Sequence, residues 1–261
     1  MDTPVTPRVV ACIDHSHLAP AVAATALAIA RLIGSEVDAV HVGAPDATVA
    51  PNDSVAGIAI RTVIGTPETV LVDELRFDGV EFAVIGSRNL LAADQLLGHV
   101  SEALVTTADI PIAIVPPNGR ALPDGRLRVL LPLDGDPATS HAVVAPIVST
   151  LASVGDVVPL HVFGGSSAPM FITSDEDRSV LAEEFAARHA PGVHAPVELR
   201  IGHAADEILD AAAAQDVDAI VVGWHRHIEP DRARVVRRLL EDGRFPLILH
   251  PVRSGNDTDE S

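Results

Sequence analysis

Four sets of residues in this 261-residue chain have types and spacings that could do chemistry. Asp14 and Asp134 each end a short apolar run, where a carboxylate can hydrogen-bond a ligand or cap the helix that follows. Gly86 and Gly98 frame the stretch Ile85 to Ser101, a loop leading into a helix. Glycine lets bare main-chain N–H groups approach a phosphate, and a helix N-terminus adds favourable partial charge. His15 and His17, with His99, could supply three metal ligands, and His225 and His227 form a similar pair. No Cys or acidic partner stands at a metal-motif spacing, so solvated loop histidines are the simpler reading. Arg226, Arg232, Arg234, Arg237 and Arg238 are the basic concentration of an acidic chain. They could dock an anion or an acidic partner, or form a solvated helix face paired with Glu229, Asp231 and Glu241. Trp224, beside Gly223, reads as packing rather than as a stacking platform.

Other chemistry is excluded by what the chain lacks. All 18 basic residues are arginine. With no lysine there is no Walker A lysine, no Schiff-base lysine and no strand-end lysine of a phospho-accepting receiver. Gly164-Gly-Ser-Ser167 is not a nucleophile elbow. Cys12 falls in an apolar run predicted to be a buried strand, where a thiol is inert. As the single cysteine it has no intramolecular partner, and a reducing cytoplasm is the expected location. The net charge of −18 argues against nucleic acid and anionic membrane as partners. No run reaches the ~20 apolar residues of a membrane span, and the opening MDTPVTPR has no signal-like apolar stretch.

The elements that must position these residues occur twice. Arg8-Val-Val-Ala-Cys-Ile-Asp14 answers Arg128-Val-Leu-Leu-Pro-Leu-Asp134. Asp14 to His41 and Asp134 to His161 are both 27 positions, and Gly65 to Gly86 and Gly202 to Gly223 are both 21. Such self-similarity predicts two like units, Arg8 to Pro117 and Leu127 to Val252, joined by a Pro/Gly-rich connector. Short Val/Ile/Leu runs alternate with Ala-rich helical stretches, which predicts parallel sheets with helices on both faces. Strands are expected at Val9–Ile13, Ala39–Val42, Ala59–Ile64, Phe82–Ile85 and Pro111–Val115, and in the second unit at Ala219–Val222 and Leu247–Leu249. Helices are expected from Pro20 to Leu32, after a Thr66 cap, at Val100–Thr107, after an Asp136 cap, and from Asp175 to His189. The last has no counterpart in the first unit, where Gly43 to Val55 shows no helical period and one sheet face should be thinly covered.

In an open parallel sheet, ligands bind beyond the carboxyl ends of the strands, where strand order reverses. There the chain resembles the universal stress protein family over nearly its whole length, once per half. Nucleotide-binding members of that family carry G-x2-G-x9-G-(S/T) after strand four and an Asp closing strand one. The resemblance implies two three-layer α/β/α domains, each a five-stranded parallel sheet in the order 3-2-1-4-5, related by a pseudo-two-fold. It implies ATP or a related adenine nucleotide, with Mg²⁺, in the first domain. Adenine would lie near Asp14, Ser16 and Val42, and phosphates along Gly86, Arg88, Asn89, Gly98, His99, Val100 and Ser101. Asn89 replaces the second glycine, the next gap is one residue short, and His99 replaces the Ser or Thr. In the second half Gly223 survives, but Arg226 stands at the second glycine position and Ala233-Arg234 where Gly-Ser belongs. That pocket, with Asp134 and Val162, is expected to be filled and dead for ATP. The resemblance also implies dimers joined at strand five, which a fused pair satisfies within one chain; a homodimer of the pair is a further form. A non-catalytic nucleotide-binding stress module is the first reading. A scaffold acting through protein contacts, with both pockets lost, is the second. An enzyme of the wider adenine-nucleotide α-hydrolase group is the third, and it lacks a Ser-Gly-Gly loop after strand one.

Overall fold

The computed structural model describes residues 6–44, 53–87, 97–151, 155–164, 174–227 and 233–252. In the first half the strands are β1 (Arg8–Cys12), β2 (Glu36–Gly43), β3 (Ser54–Val55), β4 (Ile58–Ile64), β5 (Val80–Gly86) and β6 (Ile112–Val115). The helices are α1 (Ala19–Ile33), α2 (Pro67–Glu74) and α3 (His99–Thr107). The second half contributes β7 (Leu127–Leu133), α4 (Pro137–Leu151), β8 (Gly155–Phe163), α5 (Asp175–His189), β9 (Glu198–Ile201), α6 (Ala204–Ala214), β10 (Ala219–Trp224), α7 (Arg234–Asp242) and β11 (Leu247–Pro251).

The strand sequences explain their places. The interior of β1 is Val9-Val10-Ala11, fully buried because parallel neighbours flank it and helices cover both faces. Successive side chains go to opposite sides: Val9 and Ala11 join the core under α1, α4 and α5, while Val10 joins the core under α2, α3, α6 and α7. Both cores contain residues from each half of the chain.

Instead of two separate sheets, one eleven-stranded sheet forms, in the order β3-β4-β2-β1-β5-β6-β11-β10-β7-β8-β9. Its ladders are parallel except β3 with β4 and β6 with β11. At the second of these, Ile112, Ala113 and Ile114 lie opposite Leu249, Ile248 and Leu247. Each half would otherwise end on an apolar strand with one unpaired edge, and the antiparallel ladder satisfies both.

Between β2 and β4 the described residues contain no helix. The chain makes a tight hairpin instead: β3 turns through Ala56 (φ 50°) and Gly57 (φ 82°) into β4. Val55, Ile58 and Ile60 are only partly buried against the core. In the second half α5 covers the corresponding face, opened by a capping box in which Ser174 and Asp177 bond reciprocally. The expected Thr66 cap makes no side-chain bond to its helix, whereas Asp136 accepts the N–H groups of Ala138 and Thr139.

Candidate functional site

In the first half β1 and β5 lie side by side, in the second half β7 and β10, and a cavity opens at the ends of each pair. The first is about 440 Å³ and is lined by Asp14, Ser16, Val42, Gly86, Gly98, Val100 and Ser101 among the expected residues. His99 begins α3 but does not line the cavity, and Arg88 and Asn89 lie outside the described residues. Asp14 is exposed, and its Oδ1 accepts the N–H of Ser16 at 3.1 Å, bracing the loop rather than capping α1. Ser16 Oγ in turn accepts the N–H of Leu18. Ser101 Oγ lies 3.5 Å from the Gly86 carbonyl, tying the first turn of α3 to the end of β5.

Sequence reasoning passed over His41 as a site residue, although the shared 27-residue spacing marked it. Its Nδ1 meets the Ile13 carbonyl at 2.9 Å, which makes that nitrogen the donor, and its ring lies 4.3 Å from that of His15. The second half repeats the device, with His161 Nδ1 2.7 Å from the Leu133 carbonyl. Burial holds the His161 imidazole below its ordinary range. Cys12 also lines the first cavity, but burial and the charges of Glu74 and Asp38 push its thiol to about 12, so it stays protonated.

The second cavity is about 540 Å³ and is lined by Asp134, Val162, Gly223, Ala233 and Arg234, together with Thr139, Trp224, His225 and His227. The described residues leave this volume open, where the sequence analysis expected bulky side chains. Arg226 takes the left-handed backbone of a glycine (φ 62°), and its guanidinium leaves the cavity to pair with Asp109 of the first half at 2.5 Å. Ala233 is buried and too small to occupy the space. Asp134 repeats the Asp14 turn, accepting the N–H of Asp136 at 2.9 Å. His225 Nε2 is 3.3 Å from Thr139 Oγ1. The arginine set divides: Arg234 lines the cavity, Arg238 pairs with Asp206, and Arg232 lies outside the described residues.

Gly86 and Gly223 have a packing role. A Cβ on Gly223 would lie 2.5 Å from Thr139 Cγ2, and one on Gly86 would lie 3.2 Å from Leu18 Cδ1. Among the described residues no group of three or more His, Cys, Asp or Glu side chains is placed to hold a metal ion, so the histidine sets do not converge. No helix among them is long and apolar enough to cross a membrane.

Comparison with known proteins adds three findings. The sequence model of the Universal stress protein family matches residues 125–242. A universal stress protein of Mycolicibacterium smegmatis is 29% identical over 178 residues, 65% of this chain and 60% of that protein's length. Crystal structures that share the fold include the following two. A functionally unknown protein from Pseudomonas aeruginosa PAO1 superposes with a TM-score of 0.65 at 13% identity, over 95% of this chain and 93% of its own. A universal stress protein from Archaeoglobus fulgidus does so with a TM-score of 0.62 at 16% identity, over 94% and 96%.

Proposed function

Given that the chain belongs to the universal stress protein family, we propose that it is a non-catalytic stress-response module holding ATP or a related adenine nucleotide in its first-half cavity. Residues 8–117 and 127–252 are then two tandem domains related by a pseudo-two-fold, each with its own rim, in a cytoplasmic protein. The observation that carries the reading is the 440 Å³ cavity at the carboxyl ends of β1, β2 and β5. Its volume lies within the roughly 300–1,000 Å³ of small-molecule sites. Its position is the switch point, where β2 and β5 leave β1 on opposite sides. Val42 and His41 form the wall suited to a base, and the exposed Asp14 carboxylate is placed to accept from a ribose hydroxyl. Gly98 and the N-terminus of α3 face the side where phosphates would gather, with Mg²⁺ as their counter-ion.

Isothermal titration with ATP, with and without Mg²⁺, tests the proposal. The expected result is one saturable site, weakened more than tenfold in Asp14→Ala and unchanged in Asp134→Ala. The second variant loses the same kind of loop bond, so it separates ligand contact from loop support. No heat at millimolar nucleotide would transfer the function to protein contacts, with the chain acting as a scaffold. Nucleotide turnover abolished in Asp14→Ala would return the enzyme reading.

A further inference from the structure

Helix α3 serves both cavities. Val100, Ser101 and Leu104 line the first, and Ser101 ties the first turn of the helix to the end of β5. The helix is nine residues long, roughly 14 Å. Its other end meets the second half across the seam where β6 pairs with β11. The last carbonyls of a helix have no partner within it. That of Leu104 takes the N–H of Ala108, and that of Val105 takes the Trp224 indole N–H at 2.6 Å. Trp224 lines the second cavity. Leu104 thus borders one cavity while its neighbour Val105 anchors a wall of the other.

A second contact runs beside the first. Arg226 pairs with Asp109, just past the end of α3. The left-handed backbone of Arg226 (φ 62°) is costly for a residue other than glycine, and such a conformation persists only where its surroundings fix it. Helix α7 repeats the arrangement in the opposite sense. It starts at the second cavity, which Val235 and Val236 line, and ends at Gly243, where a Cβ would lie 3.1 Å from Pro117 Cδ of the first half. The Pro117 carbonyl in turn lies 3.3 Å from Nε2 of His17, which lines the first cavity.

Leu104, Val105 and Trp224 are all buried. A packed interior has few voids, so a displaced helix moves what it touches instead of being absorbed. We infer that the two cavities are coupled through α3: a change at the first rim alters the second by way of Trp224 and Arg226. The second acts back on the first through the same contacts, because coupling between sites is reciprocal. Where the change at the first rim is a bound nucleotide, this rests on the function proposed for that cavity.

The first test needs no ligand. Asp109→Asn removes the charge partner of Arg226 at an exposed position, and amide NMR of the isotope-labelled full chain reads the result. The Gly98 and Ser101 amides at the first cavity should shift together with the Trp224 indole N–H. Shifts confined to the last turn of α3 and the Arg226 turn overturn the coupling. The second test uses ATP with Mg²⁺. Trp224 is the one tryptophan of a chain without tyrosine, so its emission reports the wall of the second cavity. That emission should change with the same saturation that calorimetry reads, and most of the change should be lost in Asp109→Asn and kept in Asp134→Ala. Loss in Asp134→Ala would place the nucleotide in the second cavity and overturn the coupling. Calorimetric saturation with a silent Trp224 overturns the coupling and leaves the nucleotide function standing. Absence of heat removes that function, and the ligand-free shifts then decide the coupling alone.

Discussion

Gly86 ends β5 and Gly223 is the last residue but one of β10, at matching spacings, and in sequence they read as room for a phosphate. What crowds them in the structure is a helix: Leu18 at the start of α1 and Thr139 in α4. A glycine is therefore required at both places with or without ligand, and its recurrence testifies to the fold first. Gly223→Ala should cost about 1–3 kcal/mol, the usual penalty of overpacking, measured by urea unfolding; Gly86→Ala should cost less, because its contact is looser. Spacing put Asp14 and Asp134, and His41 and His161, at equivalent positions where each pair makes the same kind of bond, since a repeat preserves positions even where roles differ. It could not reveal the left-handed backbone of Arg226, because an arginine carries no mark of φ and only the surrounding turn imposes it. His161 supports a pH prediction. Burial and then the nearby His189 charge lower its pKa, against the raising effects of the Leu133 carbonyl and Asp134. The unfolded chain takes the proton more readily, so this contribution is complete above about pH 6.5 and is lost as pH falls below it. The melting temperature should drop on acidification from neutrality, and His161→Gln should flatten that slope.

Among the elements, long periodic segments were read closely and short or edge ones were not. The α5 helix has the expected bounds because its cap, its acidic first turn and its basic last turn all agree. The second strand was expected at Ala39–Val42 and extends over Glu36–Gly43, its polar first residues held by the β1 ladder rather than by burial. The two-residue β3 has no period to read and exists only through its turn. Helix α3 shows how far an element's surroundings can lie from its own segment. Its first turn borders the first cavity, while the Val105 carbonyl accepts the Trp224 indole N–H at 2.6 Å from the other half. Trp224 is packing, as the sequence suggested, but packing across the seam. Trp224→Phe keeps the ring and leaves the carbonyl unpaired. It should destabilise the whole chain by about 1–3 kcal/mol in chemical denaturation, with α3 amides losing protection in hydrogen exchange.

At the scale of the molecule, alternating strands and helices made the α/β class and the mostly parallel sheet readable. The join of the two halves at their last strands was implied by the family resemblance and not by the strands' own residues. Residues 112–115 and 247–249 are plain apolar runs, and nothing in their alternation says which edge pairs with which or in what register. The pairing is decided only once both halves exist. A fragment ending at Pro117 should therefore expose β6 and self-associate, seen as a concentration-dependent mass in sedimentation, whereas the intact chain keeps that edge paired.

The reversal at β6 and β11 also has a bearing on how this protein can change over time. Two surfaces held on one polypeptide meet at an effective concentration on the order of millimolar, so their pairing survives dilution that would part separate subunits. A substitution near one rim is not copied to the other, as it would be in a symmetric pair of identical chains. The two cavities are thus free to drift toward different ligands while the strands between them stay constrained.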